Sequence, residues 1–305
     1  MNGRNVLLLV NPSKPEALAA AVEVRALIEQ SGRIVAELPA DDAPMPLGMT
    51  KPDLVVVLGG DGTLLAQARR FVDLDVPMLG VNLGKVGFMA EFDLAALRLQ
   101  AESLFGDGPL ALRRTGLIEV EVYGDRGATA SGNGEGLLKY SGRALNDCVI
   151  TAGPPYRLIT LSLSFDGTPG PTFHGDGIIV STPMGSTAYN LSAGGPILAP
   201  TVEALAITPI CAQSLSFRPV VVGADSIIEI TLLRVNDADG KGKETGQGTT
   251  LVLDGQVQMP LHLNDRIVVT TYGQSIGLVR NPATEYWGRL MGKMHWARSP
   301  RIRGV

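Results

Sequence analysis

Gly59-Gly60-Asp61-Gly62-Thr63 follows directly on the apolar run Asp53–Leu58. Such a run, buried as a strand, delivers the chain to the carboxyl edge of a sheet, where open α/β folds bind ligands. Glycines at 59, 60 and 62 permit positive φ and close approach to the backbone. Amides of the turn, and of a helix beginning there, can cradle phosphate oxygens. Thr63 can cap that helix or bond a phosphate. Asp61 does not belong in such a cradle, because phosphates repel a carboxylate. A metal, or a proton to accept from an attacking hydroxyl, offsets that repulsion, as in phosphoryl transfer. Ordering a tight turn is the plainer alternative, and for a bare Gly-Asp-Gly it is preferred. The full five-residue turn after an apolar strand favours the chemical role. It is neither a G-x-x-x-x-G-K-[ST] loop nor a dinucleotide fingerprint, since no G-x-G-x-x-G follows the first strand.

Two further constellations carry polar chemistry. Asn146-Asp147 stand before Cys148-Val149-Ile150. Their amide and carboxylate heads can read a base edge or ribose hydroxyls; a simple turn explains them equally well. Residues 173–199 run from the apolar Ile178–Ser181 into a loop dense in Gly, Ser and Thr. A core does not ask for that composition, whereas a flat polar ligand lying against the backbone does. Tyr189 can pack on its ring and Thr187 can bond its edge. Asn82-Leu83-Gly84-Lys85-Val86-Gly87-Phe88 spaces glycines three apart after a strand, which alone marks only a loop.

Strand and helix signals alternate ahead of these groups. Val6–Val10 reads as a strand buried on both faces. Pro15 opens a helix to about Gln30, with Ala19, Val22, Ala26 and Leu27 on one side and Gly32 ending it. Arg33–Leu38, Asp53–Leu58 and Pro77–Val81 are further strands, and Leu64–Val72 a helix. This alternation predicts an open parallel α/β domain over residues 1–105. Leu117–Val122 instead alternates apolar with acidic residues, and Leu158–Phe165, Ile227–Leu233, Thr250–Leu253 and Arg266–Thr271 are strand candidates. Residues 106–276 are expected to form a mostly β domain. The tail 277–305, with Trp287, is expected to return to the first domain. Gly124–Gly136 and Asn236–Gly248 read as surface loops.

Composition limits the partners. The 305 residues carry 26 basic and 30 acidic side chains, so a global field for nucleic acid is absent. Cys148 and Cys211 both lie among apolar neighbours and are expected to be buried free thiols. Neither they nor the three histidines have metal-ligand spacing. No apolar stretch reaches the ~18 residues of a membrane span. The apolar run at the start is too short for a signal peptide, so a cytoplasmic protein without membrane contact is expected.

Taken together, Gly59–Thr63, Asn82-x-Gly84-x-x-Gly87-Phe88, Asn146-Asp147 and the blocks Gly175-Asp176-Gly177, Gly185–Asn190 and Gly194-Gly195-Pro196 resemble the NAD kinases. Ser214–Pro219 and Asp254-Gly255-Gln256 look like later landmarks of the same family. The first block is shared with lipid kinases of the diacylglycerol and sphingosine type and with phosphofructokinases; Gly-Ser-Thr-Ala-Tyr is far more specific. The resemblance implies ATP-dependent phosphorylation of NAD to NADP, with Mg²⁺ or another divalent cation accompanying ATP. It implies that Asp61 contacts the 2′-hydroxyl of the adenosine ribose and acts as the base. Gly60, Gly62 and Thr63 would lie along phosphates, and Phe88 would border the NAD pocket. Asn146 and Asp147 would hold adenine and its ribose, with Thr187, Ala188 and Tyr189 around the adenine. Asp176 and Ser192 would face the nicotinamide end, and Gln256 would belong to the same pocket. A homodimer or homotetramer is implied. Two positions depart from the pattern: the family pair is usually Asn-Glu, and Met184 stands where Thr or Ser is commoner.

Overall fold

The computed structural model describes residues 3–41, 48–84, 87–124, 136–236 and 248–294. It divides into two compact units, Met1–Arg114 with Ile276–Val305, and Thr115–Ser275.

The first unit opens with β1 (Asn5–Val10), α1 (Pro15–Ser31), β2 (Arg33–Pro39), β3 (Leu54–Leu58), α2 (Asp61–Phe71), β4 (Met78–Val81) and α3 (Leu94–Phe105). Its strands pair in parallel in the order β2-β1-β3-β4. Leu7, Leu8, Leu9, Val55 and Val56 are fully buried, which is why β1 and β3 read as continuous apolar runs rather than alternations. Each such side chain contributes about 1.5–3 kcal/mol through burial. Pro15 sits at the helix start of α1, where a missing N–H is harmless. The buried stripe of α1 is Ala17, Ala20, Ala21, Val24 and Ile28. The expected face was wrong: Val22 is 67% exposed, and Leu18 beside it 52%. Apolar residues surround this helix, so periodicity alone does not select the face that meets the sheet.

The second unit is built from β5 (Leu112–Tyr123), β6 (Leu138–Ala144), β7 (Asp147–Thr151), β8 (Ile159–Phe165), β9 (Thr168–Gly175), β10 (Gly177–Ser181), the short α4 (Tyr189–Ser192), β11 (Ala204–Ile210), β12 (Val220–Gly223), β13 (Ile228–Arg234), β14 (Thr250–Leu253), β15 (Val257–Pro260) and β16 (Arg266–Val279). One sheet is antiparallel in the order β12-β11-β10-β7-β14-β15. In the other, β16-β13-β8-β9 are antiparallel and β5 pairs with β6. Buried residues of both sheets, such as Ile150 and Val180 from one and Leu161 and Ile230 from the other, share one core. Strand β9 contains Pro169 and Pro171 and lies at a sheet edge, where a missing N–H is tolerated. Cys148 is buried as expected, but Cys211 is exposed. It follows the last residue of β11 and turns out of the sheet at φ 48°.

Strand β16 runs well past the expected Thr271. Its end, Ile276–Val279, belongs to the first unit, where Leu278 pairs in parallel with Met78 of β4. The tail then forms α5 (Tyr286–Met294), also counted with the first unit. The two expected surface loops lie almost wholly outside the described residues.

Candidate active site

In the first unit, β3 ends at Leu58 and Gly59 N–H donates to Val81 O at 3.1 Å. Gly60 caps α2 with φ −95° and ψ −175°, so Asp61 is already the first helical residue. None of Gly59, Gly60 and Gly62 has positive φ, contrary to expectation. Glycine is required for closeness instead. A Cβ on Gly59 would stand 2.5 Å from Thr63 Oγ1. Thr63 does not cap the helix; its hydroxyl accepts from Asn11 Nδ2 at 2.8 Å, tying the β1–α1 turn to the glycine turn.

The Asp61 carboxylate turns onto the segment after Gly87. Oδ2 accepts from Phe88 N–H at 2.8 Å and Met89 N–H at 3.3 Å, and Oδ1 from Ala90 N–H at 2.9 Å. A Cβ on Gly87 would fall 1.8 Å from Oδ1, so this approach requires a glycine. Three of roughly four acceptor positions are thereby filled, leaving one on Oδ1 for another donor. The Lys293 ammonium lies 4.8 Å from the Phe88 ring centroid. Burial lowers its pKa first, while the nearby Asp61 charge works to raise it.

Behind that segment is a buried charge cluster. Glu91, 3% exposed, accepts from Arg113 at 3.0 Å, Arg289 at 2.6 Å and the Asn281 amide at 3.0 Å. Glu91 thus fastens the tail and α5 beside the residues that hold Asp61. Nothing local in the sequence marked it: its partner Arg289 is 198 positions away.

In the second unit, Asn146 and Asp147 stand at the start of β7. The Asp254 carboxylate accepts from the amides of Leu145 (3.0 Å), Asn146 (2.7 Å) and Asp147 (3.2 Å), and fixes that strand start. Asp254 itself adopts φ 53° in the turn between β14 and β15. The Asp147 side chain has no hydrogen-bond partner among the described residues and is 4% exposed. Burial, then the charge of Asp254, push its carboxyl up to about 7. These residues border a cavity of about 320 Å³ whose other walls are Val149, Thr151, Ala188, Tyr189, Val252 and Gly255. Strand side chains line one part of the cavity, and the half-exposed Tyr189 ring another. That volume falls at the small end of ligand pockets.

The loop that carries Ala188 and Tyr189 is held from within. Buried Asn190 donates to Ser186 O (3.2 Å) and Pro196 O (2.9 Å) and accepts from Thr208 (2.6 Å). Ser186 Oγ donates to Pro183 O at 2.7 Å. Much of the small polar composition that looked like ligand chemistry therefore fixes the loop. Of the remaining expected residues, Asp176 is half-buried between β9 and β10 and Thr187 is half-buried in a 3₁₀ turn. Ser192 is exposed at the end of α4, and Gln256 is exposed in the β14–β15 turn. None of these four lines the cavity, and neither does the buried Met184.

Two family descriptions match this chain: the ATP-NAD kinase N-terminal domain over residues 47–108 and the ATP-NAD kinase C-terminal domain over residues 145–280. The chain belongs to the NAD kinase family. Among its relatives, the NAD kinase of Geobacter sp. (strain M21) is 41% identical over 245 residues, covering 80% of this chain and 78% of that one. The NAD kinase of Syntrophobacter fumaroxidans is 33% identical over 303 residues, covering 97% and 100%. The fold is shared with yeast NADH kinase complexed with NADH, at TM-score 0.78 and 23% identity over 100% of this chain and 91% of that one. It is shared too with an NAD kinase from Archaeoglobus fulgidus in complex with ATP, at TM-score 0.68 and 20% identity over 95% and 98%. The matched segments of the NAD kinase descriptions contain the Asp61 turn and the whole cavity wall.

Proposed function

We propose that this NAD kinase family member transfers the γ-phosphoryl group of ATP to the 2′-hydroxyl of the adenosine ribose of NAD, giving NADP and ADP. The observation that carries the assignment of the base is the Asp61 carboxylate, aimed by three amides with one acceptor position left. A ribose hydroxyl is a poor nucleophile at neutral pH. A hydrogen bond to Asp61 orients it and accepts its proton as the oxygen forms a bond to the γ-phosphorus. The bond from that phosphorus to the β–γ bridging oxygen breaks, and ADP leaves with the electron pair. Amides at the start of α2 would donate to the phosphate oxygens as charge gathers on them. Asn146, Asp147, Ala188 and Tyr189 hold the adenosine half, with the Tyr189 ring against the base and the Asp147 head on a hydroxyl or amino group.

ATP brings its own divalent cation, Mg²⁺ or an equivalent, as part of the substrate. Among the described residues no cluster of three His, Cys, Asp or Glu side chains could hold a resident metal. The family likeness supports assembly as a dimer or tetramer. No described helix is long and apolar enough to cross a membrane, and soluble substrates fit action in the cytoplasm.

The test is purified protein incubated with Mg²⁺, ATP and NAD, with NADP read by an NADP-specific dehydrogenase. NADP forming only when both substrates are present is the expected result. ATP-dependent phosphorylation of diacylglycerol or sphingosine in place of NAD would reassign the acceptor. Tight NAD binding with no product would make the chain a sensor.

A further inference from the structure

We propose that Lys14 is the cation that holds the triphosphate of the donor. This inference rests on the reading of Gly59–Thr63 as the phosphate turn of the kinase.

Lys14 is separated from that turn by 45 residues, and the fold brings the two together. Asn11 N–H donates to Leu58 O at 3.1 Å, and Asn11 Nδ2 donates to Thr63 Oγ1 at 2.8 Å. The Asn11 side-chain oxygen accepts from the Ser13 amide at 3.0 Å and the Ser13 hydroxyl at 2.7 Å, closing the β1–α1 turn on itself. Lys14 N–H donates to Asn11 O at 3.3 Å. Two turns from different parts of the chain are thus bonded together, and Lys14 emerges at their junction. Its ammonium lies so close to Gly60 that a Cβ there would stand 3.2 Å from Nζ. Gly60 is the residue that caps α2.

This is an unfavourable place for a cation. The start of an α-helix carries a partial positive charge, so cations are stabilised at the opposite end. Among the described residues no carboxylate forms an ion pair with Lys14 to offset that repulsion. Asp61, the acidic residue of the turn, turns its carboxylate onto the amides of Phe88, Met89 and Ala90 and forms no ion pair with Lys14. The side chain also does nothing for α1: Lys14 is its N-terminal cap residue but forms no side-chain capping bond. A polyanion resolves all of this. Phosphate oxygens would accept from the Lys14 ammonium and from the amides at the start of α2 together. A compact ammonium with three donors suits a phosphate chain, on which it can serve more than one oxygen. The triphosphate is the ligand of choice because the proton acceptor, Asp61, belongs to the same turn.

The experiment is calorimetric titration of the full chain, wild type and Lys14→Met, with Mg²⁺ complexes of ATP, of ADP and of AMP, and with NAD. Lys14→Met is expected to weaken ATP and ADP by about ten- to a hundredfold, the range of a hydrogen bond to a charged group. AMP and NAD should be held as before, and Lys14→Arg should recover part of the loss. Because the Lys14 side chain has no hydrogen-bond or ion-pair partner among the described residues, thermal unfolding of the variant should match the wild type. Unchanged ATP affinity in Lys14→Met would overturn the proposal. So would a loss confined to NAD, which would put the ammonium on the dinucleotide pyrophosphate. The titration reads binding without turnover. A wild type that binds ATP through Lys14 but makes no NADP would therefore overturn the proposed function and leave this inference standing.

Discussion

Asp61 begins a helix in the first unit with three amides on its carboxylate; Asp147 begins a strand in the second with none. The contrast is not one of burial alone. Asp254, also buried, accepts three amides just as Asp61 does. A carboxylate bound this way is held in one orientation and can be aimed at a proton. Asp147 is the exception, with burial and its neighbour Asp254 driving its carboxyl up to about 7. Such a group can change protonation when a ligand offers it a donor. The first unit therefore offers a carboxylate held in one orientation, and the second a carboxyl whose protonation can change.

The largest effect on stability should come from the paired side of this contrast. Glu91→Ala leaves Arg113 and Arg289 buried without their carboxylate. Denaturant titration should show a loss of about 3–5 kcal/mol. Asp147→Asn should act in the opposite direction, because it removes a buried charge that has no partner. The folded pKa of Asp147 is raised from 3.8 to about 7. Between those values the folded state keeps a proton that the unfolded chain releases, so stability falls as pH rises and the loss is complete above about 7. At pH 8 the Asn variant should be more stable by up to ~4 kcal/mol, and below about pH 3 this contribution should vanish. Equal stability at both pH values would show that Asp147 is satisfied in solution. The smallest effect belongs to Tyr189, whose exposed ring lines the cavity. Tyr189→Ala should weaken NAD by about 1 kcal/mol, roughly fivefold, read by titration. Tyr189→Phe should change it little.

Much of this molecule is legible in its sequence. Unbroken Val and Leu runs at residues 6–10 and 54–58 announce strands covered on both faces. The mostly β half is also legible, but only where strands alternate cleanly, as in Leu117–Val122. Strand β9 hides behind two prolines, because an edge position is a property of the sheet and not of the segment. The buried face of α1 is hidden for a different reason, since alanines and leucines surround it. In the site, Asn146, Asp147, Ala188 and Tyr189 meet around one cavity, whereas Thr187, Asp176, Ser192 and Gln256 do not line it. Local pattern cannot separate a hydroxyl that faces a ligand from one like Ser186 that ties its own loop. Lys14, Glu91 and Arg289 went unmarked because their meaning comes from residues far along the chain.

The central claim, that the first unit's Asp61 does the chemistry while the second unit holds the dinucleotide, is tested most directly on Asp61→Asn. Turnover to NADP and NAD affinity should be measured on the same folded preparation. The account predicts turnover lower by about 10²–10⁴-fold, the usual contribution of a positioned base, with NAD bound as in the wild type. Turnover near the wild-type value would contradict it.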